Sequence, residues 1–426
     1  MNKSDTLIKN AQIISPGDGL FLSGDILIKD GLVDRIAGSI EAVPDSTEII
    51  DAKGAYAAPG FVDVHSHFRD PGQTEKEDIH TGAAAAAAGG YTTVVCMANT
   101  LPAVDNTGTL NEILSKASLE AVHVLQCASV TKERKGAALT DFDALIAAGA
   151  AGFTDDGSPI TDEVLLKAAM EKAKTLDTIL SFHEEDPAFI GVAGINEGKV
   201  SEKLGIKGAH RDAEICMVKR DLELALETGC RIDIQHVSAK ESVELIRAAK
   251  KRDGNDLIHA EVTPNHFSLT EEAVMEYGAL AKINPPLRTE EDRLALIEGL
   301  KDGTMDLIAT DHAPHTKSDK EKELPDCMSG ITGLETAFSL GLKNLVDPGH
   351  LSLKELITLM SVNPAKAYGL NAGHLREGAP ADIVIFDTKE NTTYSSFRSR
   401  SDNSPFKGQT LPGRILHTIA SGRKVF

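Results

Sequence analysis

Apolar positions follow two different rhythms along the chain. Near both ends they form short runs rich in Ile, Leu and Val, at residues 6–8, 11–14, 25–29 and 32–37 and again at 381–387 and 414–420. Gly17, Asp18, Gly24, Asp30 and Gly31 punctuate the first set. Runs of this length between turn residues predict strands. Two β-rich ends around one long middle predict that the termini meet in a small β-sandwich domain, residues 1–57 with 372–426.

The middle alternates apolar runs with helix-like stretches. The runs at 61–64, 92–97, 122–127, 151–153, 178–182, 231–235, 257–262 and 306–309 predict strands. Stretches at 75–88, 107–116, 141–148, 162–176, 211–227, 239–251 and 290–301 predict helices between most of them. Eight strands with interposed helices predict an α/β fold, a (β/α)8 TIM-like barrel over residues 58–371. The unbroken alanines from Ala83 to Ala88 predict a helix lying close against the sheet. No solenoid-type repeat interrupts the pattern. A polar stretch at 391–408, rich in Ser, Arg and Asn, predicts an exposed loop between tail strands, with disorder as the plain alternative.

Composition narrows the function. The 426 residues are 41% hydrophobic and 25% charged, as in a soluble globular protein. A net charge of −20 repels nucleic acid and anionic membranes, and the absence of tryptophan argues against a base-stacking platform. The same charge would repel an anionic substrate at long range, so such a substrate needs a few local cations. Cys96, Cys127, Cys216, Cys230 and Cys327 are odd in number and scattered, which suits neither a disulfide framework nor a thiolate zinc site. The first residues lack a long apolar segment, and no run approaches the ~20 apolar residues of a membrane span. A cytoplasmic protein is expected.

The strongest chemical signal is the run from Pro59 to His67, PGFVDVHSH, an apolar strand that ends in His-x-His. Alternate residues of an extended strand point the same way, so His65 and His67 can reach one ion. In isolation such a pair is more often two surface histidines in a turn. At the carboxyl end of the first barrel strand it sits where barrel active sites form. Asp156, His183, His236 and Asp311 follow later strand runs in the same way. Each alone reads as a satisfied polar residue, but together they put acids and imidazoles at one rim, which is costly without a cation. Nitrogen and oxygen ligands without thiolate suit zinc and related divalent ions. Asp311, beside His312 and His315, is the natural proton carrier. Arg69 offers a planar fork for a carboxylate, against a plain reading as a surface ion pair with Asp70 or Glu75. Asn99, Asn284 and His315 offer further polar groups, although each alone can be a turn former or a helix cap.

These motifs resemble the amidohydrolase superfamily and, within it, the bacterial type I dihydroorotases. The resemblance runs from Pro59 to Asp105 and through Phe153-Thr154-Asp155-Asp156-Gly157, His183-Glu184-Glu185-Asp186, His236-Val237-Ser238 and Asp311-His312-Ala313-Pro314-His315. It continues through GITGLET at 330–336, Asn363-Pro364-Ala365, the stretch from Gly378 to Asp387, and Ser404-Pro405-Phe406 with Gly408. It implies two zinc ions, one held by His65, His67, Asp156 and Asp311 and one by Asp156, His183 and His236. Asp156 would bridge them where many relatives use a carboxylated lysine. Asp155 competes for that role, and the family pattern, with the ligand just before the glycine, favours Asp156.

The resemblance further implies that His67, Arg69, Asn99, Asn284, His315, Ser329 and Gly330 line the substrate, with Arg69 and Asn99 on its carboxylate. Ser329 stands where the family usually has Phe, which makes the pocket wall less apolar. The implied reaction is reversible closure of N-carbamoyl-aspartate to dihydroorotate, the ring-forming step of pyrimidine synthesis. A metal-activated bridging hydroxide would attack and Asp311 would carry the proton. Alternatives are another cyclic amidohydrolase (a hydantoinase, dihydropyrimidinase or allantoinase) or an inactive partner subunit. The sequence leaves a homodimer and an association with aspartate transcarbamoylase open.

Overall fold

The structure is a computed structural model that describes residues 5–41, 43–254 and 256–426, so the first four residues of the amino-terminal stretch lie outside it. Five strands open the chain: β1 (Thr6–Ser15), β2 (Leu20–Lys29), β3 (Leu32–Ala37), β4 (Glu48–Asp51) and β5 (Tyr56–Pro59). Seven follow in the middle: β6 (Phe61–Ser66), β7 (Tyr91–Cys96), β8 (His123–Gln126), β9 (Leu180–Phe182), β10 (Ile232–Ile234), β11 (Ile258–Val262) and β12 (Leu307–Ile308). Three end it: β13 (Ile383–Thr393), β14 (Thr410–Ala420) and β15 (Arg423–Lys424).

The terminal strands meet, as their patterning predicts. They form one continuous eight-stranded sheet in the order β15-β14-β13-β5-β1-β2-β3, with β4 paired to β1. The join is the antiparallel pairing of β13 with β5, Ile383 opposite Pro59 and Phe386 opposite Tyr56. Ile8, Ile13, Ile26, Ile28, Ala57, Ile383, Ile385 and Ile419 form this sheet's own small core.

The middle strands pair in parallel, β6-β7-β8 in one sheet and β12-β11-β10-β9 in another. β6 and β7 are buried at every position, which explains their unbroken apolar runs: parallel strands in a barrel are covered on both faces. The strand expected at 151–153 is a correction. Phe153 alone forms bridges, parallel ones to Ala128 and Leu180 that join the two sheets, although Ala151 N also donates to Gln126 O at 2.9 Å and Ala128 N to Gly152 O at 3.0 Å. Phe153 N donates to Ile179 O at 3.1 Å and Ser181 N to Phe153 O at 2.9 Å. The run is too short for a full strand because the turn at Asp155–Gly157 follows at once. On the other side a Ser66–His312 bridge closes β12 onto β6. Thr310 N donates to Asp63 Oδ1 at 2.8 Å across the same seam.

The helices start later than predicted wherever an Asp caps them. Asp78 accepts from Thr81 N and begins the helix Ile79–Ala88, leaving Glu75 to Asp78 outside it. Asp141 and Asp162 likewise cap Phe142–Ala147 and Glu163–Thr175. The alanine-rich helix does lie close: a Cβ on Gly82 would stand 2.5 Å from the Phe68 ring. No described helix is long and apolar enough to cross a membrane.

Candidate metal centre

The polar residues at the carboxyl ends of these strands arrive at one point. His65 is the penultimate residue of β6 and His67 lies just beyond it, while Asp156, His183, His236 and Asp311 follow Phe153, β9, β10 and β12. All six are buried. The backbone turns sharply there: Arg69, His236 and Asp311 have φ of 58°, 33° and 45°, a left-handed conformation that costs a non-glycine residue roughly 1–3 kcal/mol. Such strain at three positions around one rim is typical of side chains aimed for a purpose.

Ligand atoms of His65, His67 and Asp156 lie within 4.8 Å of one another, as do those of Asp156, His183 and His236. Asp156 belongs to both groups. Its Oδ1 lies 3.6 Å from His65 Nε2, 3.5 Å from His183 Nδ1 and 4.0 Å from His236 Nε2, and its Oδ2 lies 3.7 Å from His67 Nε2. Asp311 Oδ1 adds contacts of 2.9 Å to His67 Nε2 and 3.6 Å to His65 Nε2.

The partners on the far side of each ring fix which nitrogen faces inward. His65 Nδ1 meets Glu261 Oε2 at 2.8 Å, His67 Nδ1 meets Asn99 Oδ1 at 3.0 Å, and His183 Nε2 meets Glu185 Oε2 at 3.1 Å. Each of those oxygens accepts, so each outward nitrogen carries the proton and the inward nitrogen presents a lone pair. The lone pairs face two carboxylates and one another, with His183 Nδ1 2.9 Å from His236 Nε2. His65 Nε2 is buried with no hydrogen-bond partner. Lone pairs and carboxylates packed together in this way repel unless a cation sits among them. Without an ion, a proton takes that place: burial opposes charge on His183, yet Asp156 and Glu185 raise it to about 10. Burial also opposes charge on Asp156, yet His183 and His65 hold its carboxyl well below the usual range. Burial and the neighbouring His183 and His65 push His236 well down. The donor set therefore fits divalent metal.

Asp155 points elsewhere. Its carboxylate accepts from Thr131 N at 3.1 Å and from the Thr131 hydroxyl, and burial raises it to about 6. Asn99 is better placed toward the metal ligands than the expected contact with substrate implies: its Nδ2 donates to Asp156 Oδ2 at 2.8 Å while its Oδ1 holds His67. The other expected residues border the centre with atoms left over. Arg69 is half-buried and its Nε has no hydrogen-bond partner; no ion pair to it occurs among the described residues. The expected alternative for it, a pair with Asp70 or Glu75, does not form, and Asp70 takes Lys116 at 2.7 Å. Asn284 Oδ1 and His315 Nδ1 are buried and likewise lack a hydrogen-bond partner. Gly330, at φ +143°, lies so close to His315 that a Cβ there would be 2.9 Å from the ring. Ser329 Oγ and Asn284 Oδ1 stand 2.6 and 2.9 Å from the place a Cβ would take on Gly194, which brings those two side chains together under one loop.

Sequence reasoning missed Glu261 and Glu185, which orient His65 and His183. A signal existed for Glu261: it stands inside the apolar β11 run IHAEV, where a buried acid needs a reason. A surface cavity of about 650 Å³ lies at the opposite end of β8, lined by His123, Arg423 and Lys424 among others. Converging ligands, not cavity size, mark the centre.

Residues 56–425 match the model of the amidohydrolase family. A dihydroorotase of Clostridioides difficile is 52% identical over 420 residues, covering 99% of both chains. One of Lactococcus lactis is 49% identical over 421 residues with the same coverage. Among solved structures, an L-hydantoinase (dihydropyrimidinase) from Arthrobacter aurescens is similar with a TM-score of 0.85 and 27% identity, covering 99% of this chain and 96% of that one.

Proposed function

The chain belongs to the amidohydrolase family, and from that premise we propose that it is a dihydroorotase of pyrimidine synthesis, interconverting N-carbamoyl-aspartate and dihydroorotate. The relatives at about 50% identity over the full chain carry the activity by name. The observation that carries the choice of substrate is Arg69. A half-buried guanidinium two positions from a candidate metal ligand, with no ion pair of its own, needs an anion supplied from outside, and the ring carboxylate of dihydroorotate is one.

His65, His67, Asp156 and Asp311 would hold one zinc ion and Asp156, His183 and His236 a second. When bound, the metal lowers the pKa of water to neutral range and polarises the amide carbonyl. The protein does the rest. Arg69 binds the carboxylate, and Asn284, His315 and the backbone at Ser329 and Gly330 hold the ring. Asn99 steadies His67 and Asp156. Asp311 receives the proton of the attacking water as the new carbon–oxygen bond forms, and hands it to the ring nitrogen as the carbon–nitrogen bond breaks. The reverse path closes the ring and releases water. We assign residues 58–371 to the barrel, residues 1–57 and 372–426 to the composite sheet domain, and the enzyme to the cytoplasm. A homodimer and a complex with aspartate transcarbamoylase are the assemblies this reading admits; sizing chromatography with and without that partner distinguishes them.

Purified protein assayed with dihydroorotate, dihydrouracil and allantoin should turn over the first. Asp311→Asn should lower kcat roughly 10²–10⁴-fold, the range of general acid–base contributions. Inertness toward dihydroorotate, or full activity in that variant, would refute the assignment.

A further inference from the structure

The polar loop between β13 and β14 is only half exposed, and it is not slack. Its ends are tied where Tyr394 N donates to Gln409 O at 2.9 Å and Gly408 N to Tyr394 O at 2.8 Å. From there it leaves the terminal sheet and crosses the seam where β12 closes onto β6. Ser399, Ser401, Asn403, Ser404 and Phe406 are buried along it. On the β6 side, the Ser399 hydroxyl and Arg400 N donate to Glu77, and Ser401 Oγ donates to Lys76 O at 2.6 Å. On the β12 side the Asn403 amide braces two segments that also pair directly, Ala313 N donating to Ile331 O at 2.9 Å. Asn403 Nδ2 donates to Ala313 O at 3.1 Å and to Gly330 O at 3.0 Å, and its Oδ1 accepts from His315 N at 2.9 Å. Its backbone O accepts from Thr332 N at 3.1 Å.

We propose that Asn403 is a positioning residue of the substrate cradle, a side chain from the terminal sheet that sets the spacing between His315 and Gly330. The inference rests on the functional reading above, in which those two residues hold the ring. Only a neutral amide satisfies this place. It spends both donor hydrogens on carbonyl oxygens of two separate segments, and its oxygen takes an amide hydrogen of one of them. A carboxylate of the same shape keeps the acceptor and sets negative charge against two carbonyls. A methyl leaves three buried backbone groups unpaired. The spacing it holds has little slack, because Gly330 already abuts the His315 ring. His315 Nδ1 is buried with no hydrogen-bond partner, its charged neighbour Asp319 Oδ2 standing off at 3.8 Å. Asn403 touches neither the metal ligands nor the reacting bond, so its loss weakens the grip on substrate before and during reaction alike, which raises KM and spares kcat.

The test is steady-state kinetics on dihydroorotate for the metal-loaded wild type, Asn403→Ala, Asn403→Asp and Ser401→Ala, with melting temperature and metal content recorded for each. Both Asn403 variants should raise KM about tenfold or more while kcat stays within a few-fold and metal content holds. Asn403→Asp preserves volume and serves if the alanine variant does not fold. Ser401→Ala, in the same loop but tied to Lys76, should keep the wild-type KM. An unchanged KM in a folded Asn403 variant, a loss confined to kcat, or an equal rise in Ser401→Ala would overturn the proposal. Wild-type protein inert toward dihydroorotate would instead remove the functional reading, and this inference with it.

Discussion

Arg69 shows how much one unpaired group decides. Burial lowers its hold on the proton, and the charges of Asp311 and Asp156 oppose that effect. Its chain neighbour Asp70 is already engaged by Lys116. What remains is a fork whose Nε finds no partner in the protein, beside a centre whose other charges are neutralised among themselves or await metal. Lysine in its place keeps the charge but loses the planar geometry that grips a carboxylate with two parallel bonds. Arg69→Lys should raise KM for dihydroorotate roughly tenfold or more, with a smaller effect on kcat, as initial-rate measurements would show. An unaltered KM would mean that the carboxylate is bound elsewhere. The histidines teach the complementary lesson. Their identity and strand-end position are legible in the chain, but the nitrogen each presents is set by Glu261, Asn99 and Glu185, and which histidine each of these meets is fixed only in the fold.

At the level of elements, the terminal strands and most barrel strands follow directly from apolar runs bounded by turn residues. The exception is instructive. Phe153 joins the two parallel sheets where a strand was expected, by isolated bridges on both sides and by packing. Its ring is fully buried and stacks on Phe142 of the helix Phe142–Ala147, with centroids 3.9 Å apart and planes within 7°. That stacking adds to the backbone pairing which the short segment makes with its two neighbours. Phe153→Ala should therefore destabilise the fold by about 3–5 kcal/mol, measurable by urea unfolding. Asp156, three residues on, would lose its fixed position, so the variant should also bind metal less tightly. The helix boundaries were misread for a simple reason. A capping Asp is compatible with the helical pattern that follows it, and only the backbone angles exclude it from the helix.

The whole molecule is a barrel whose ligand-bearing rim is finished by the loop between β13 and β14. Charge adds to that picture: at −20 overall, the protein concentrates its anionic rim residues around a place that calls for cations. Metal bound to the folded state alone stabilises it by mass action, about 2.7 kcal/mol at a hundredfold excess over Kd. Chelation should accordingly lower the melting temperature by several degrees, and zinc should restore it. A melting temperature indifferent to chelator would argue that the cluster holds no ion. The sequence by itself determined the fold class, the meeting of the termini and the residue types at each strand end, because hydrophobic periodicity and turn chemistry act over a few residues. Tertiary structure alone decided that Asp155 turns away to Thr131, that Arg69 has no ion pair among the described residues, and that part of the polar loop before β14 is buried across the rim. Those outcomes depend on groups such as His67 and Asp311, which meet at 2.9 Å although 244 positions separate them in the chain. Contacts of that kind exist only once the barrel has closed.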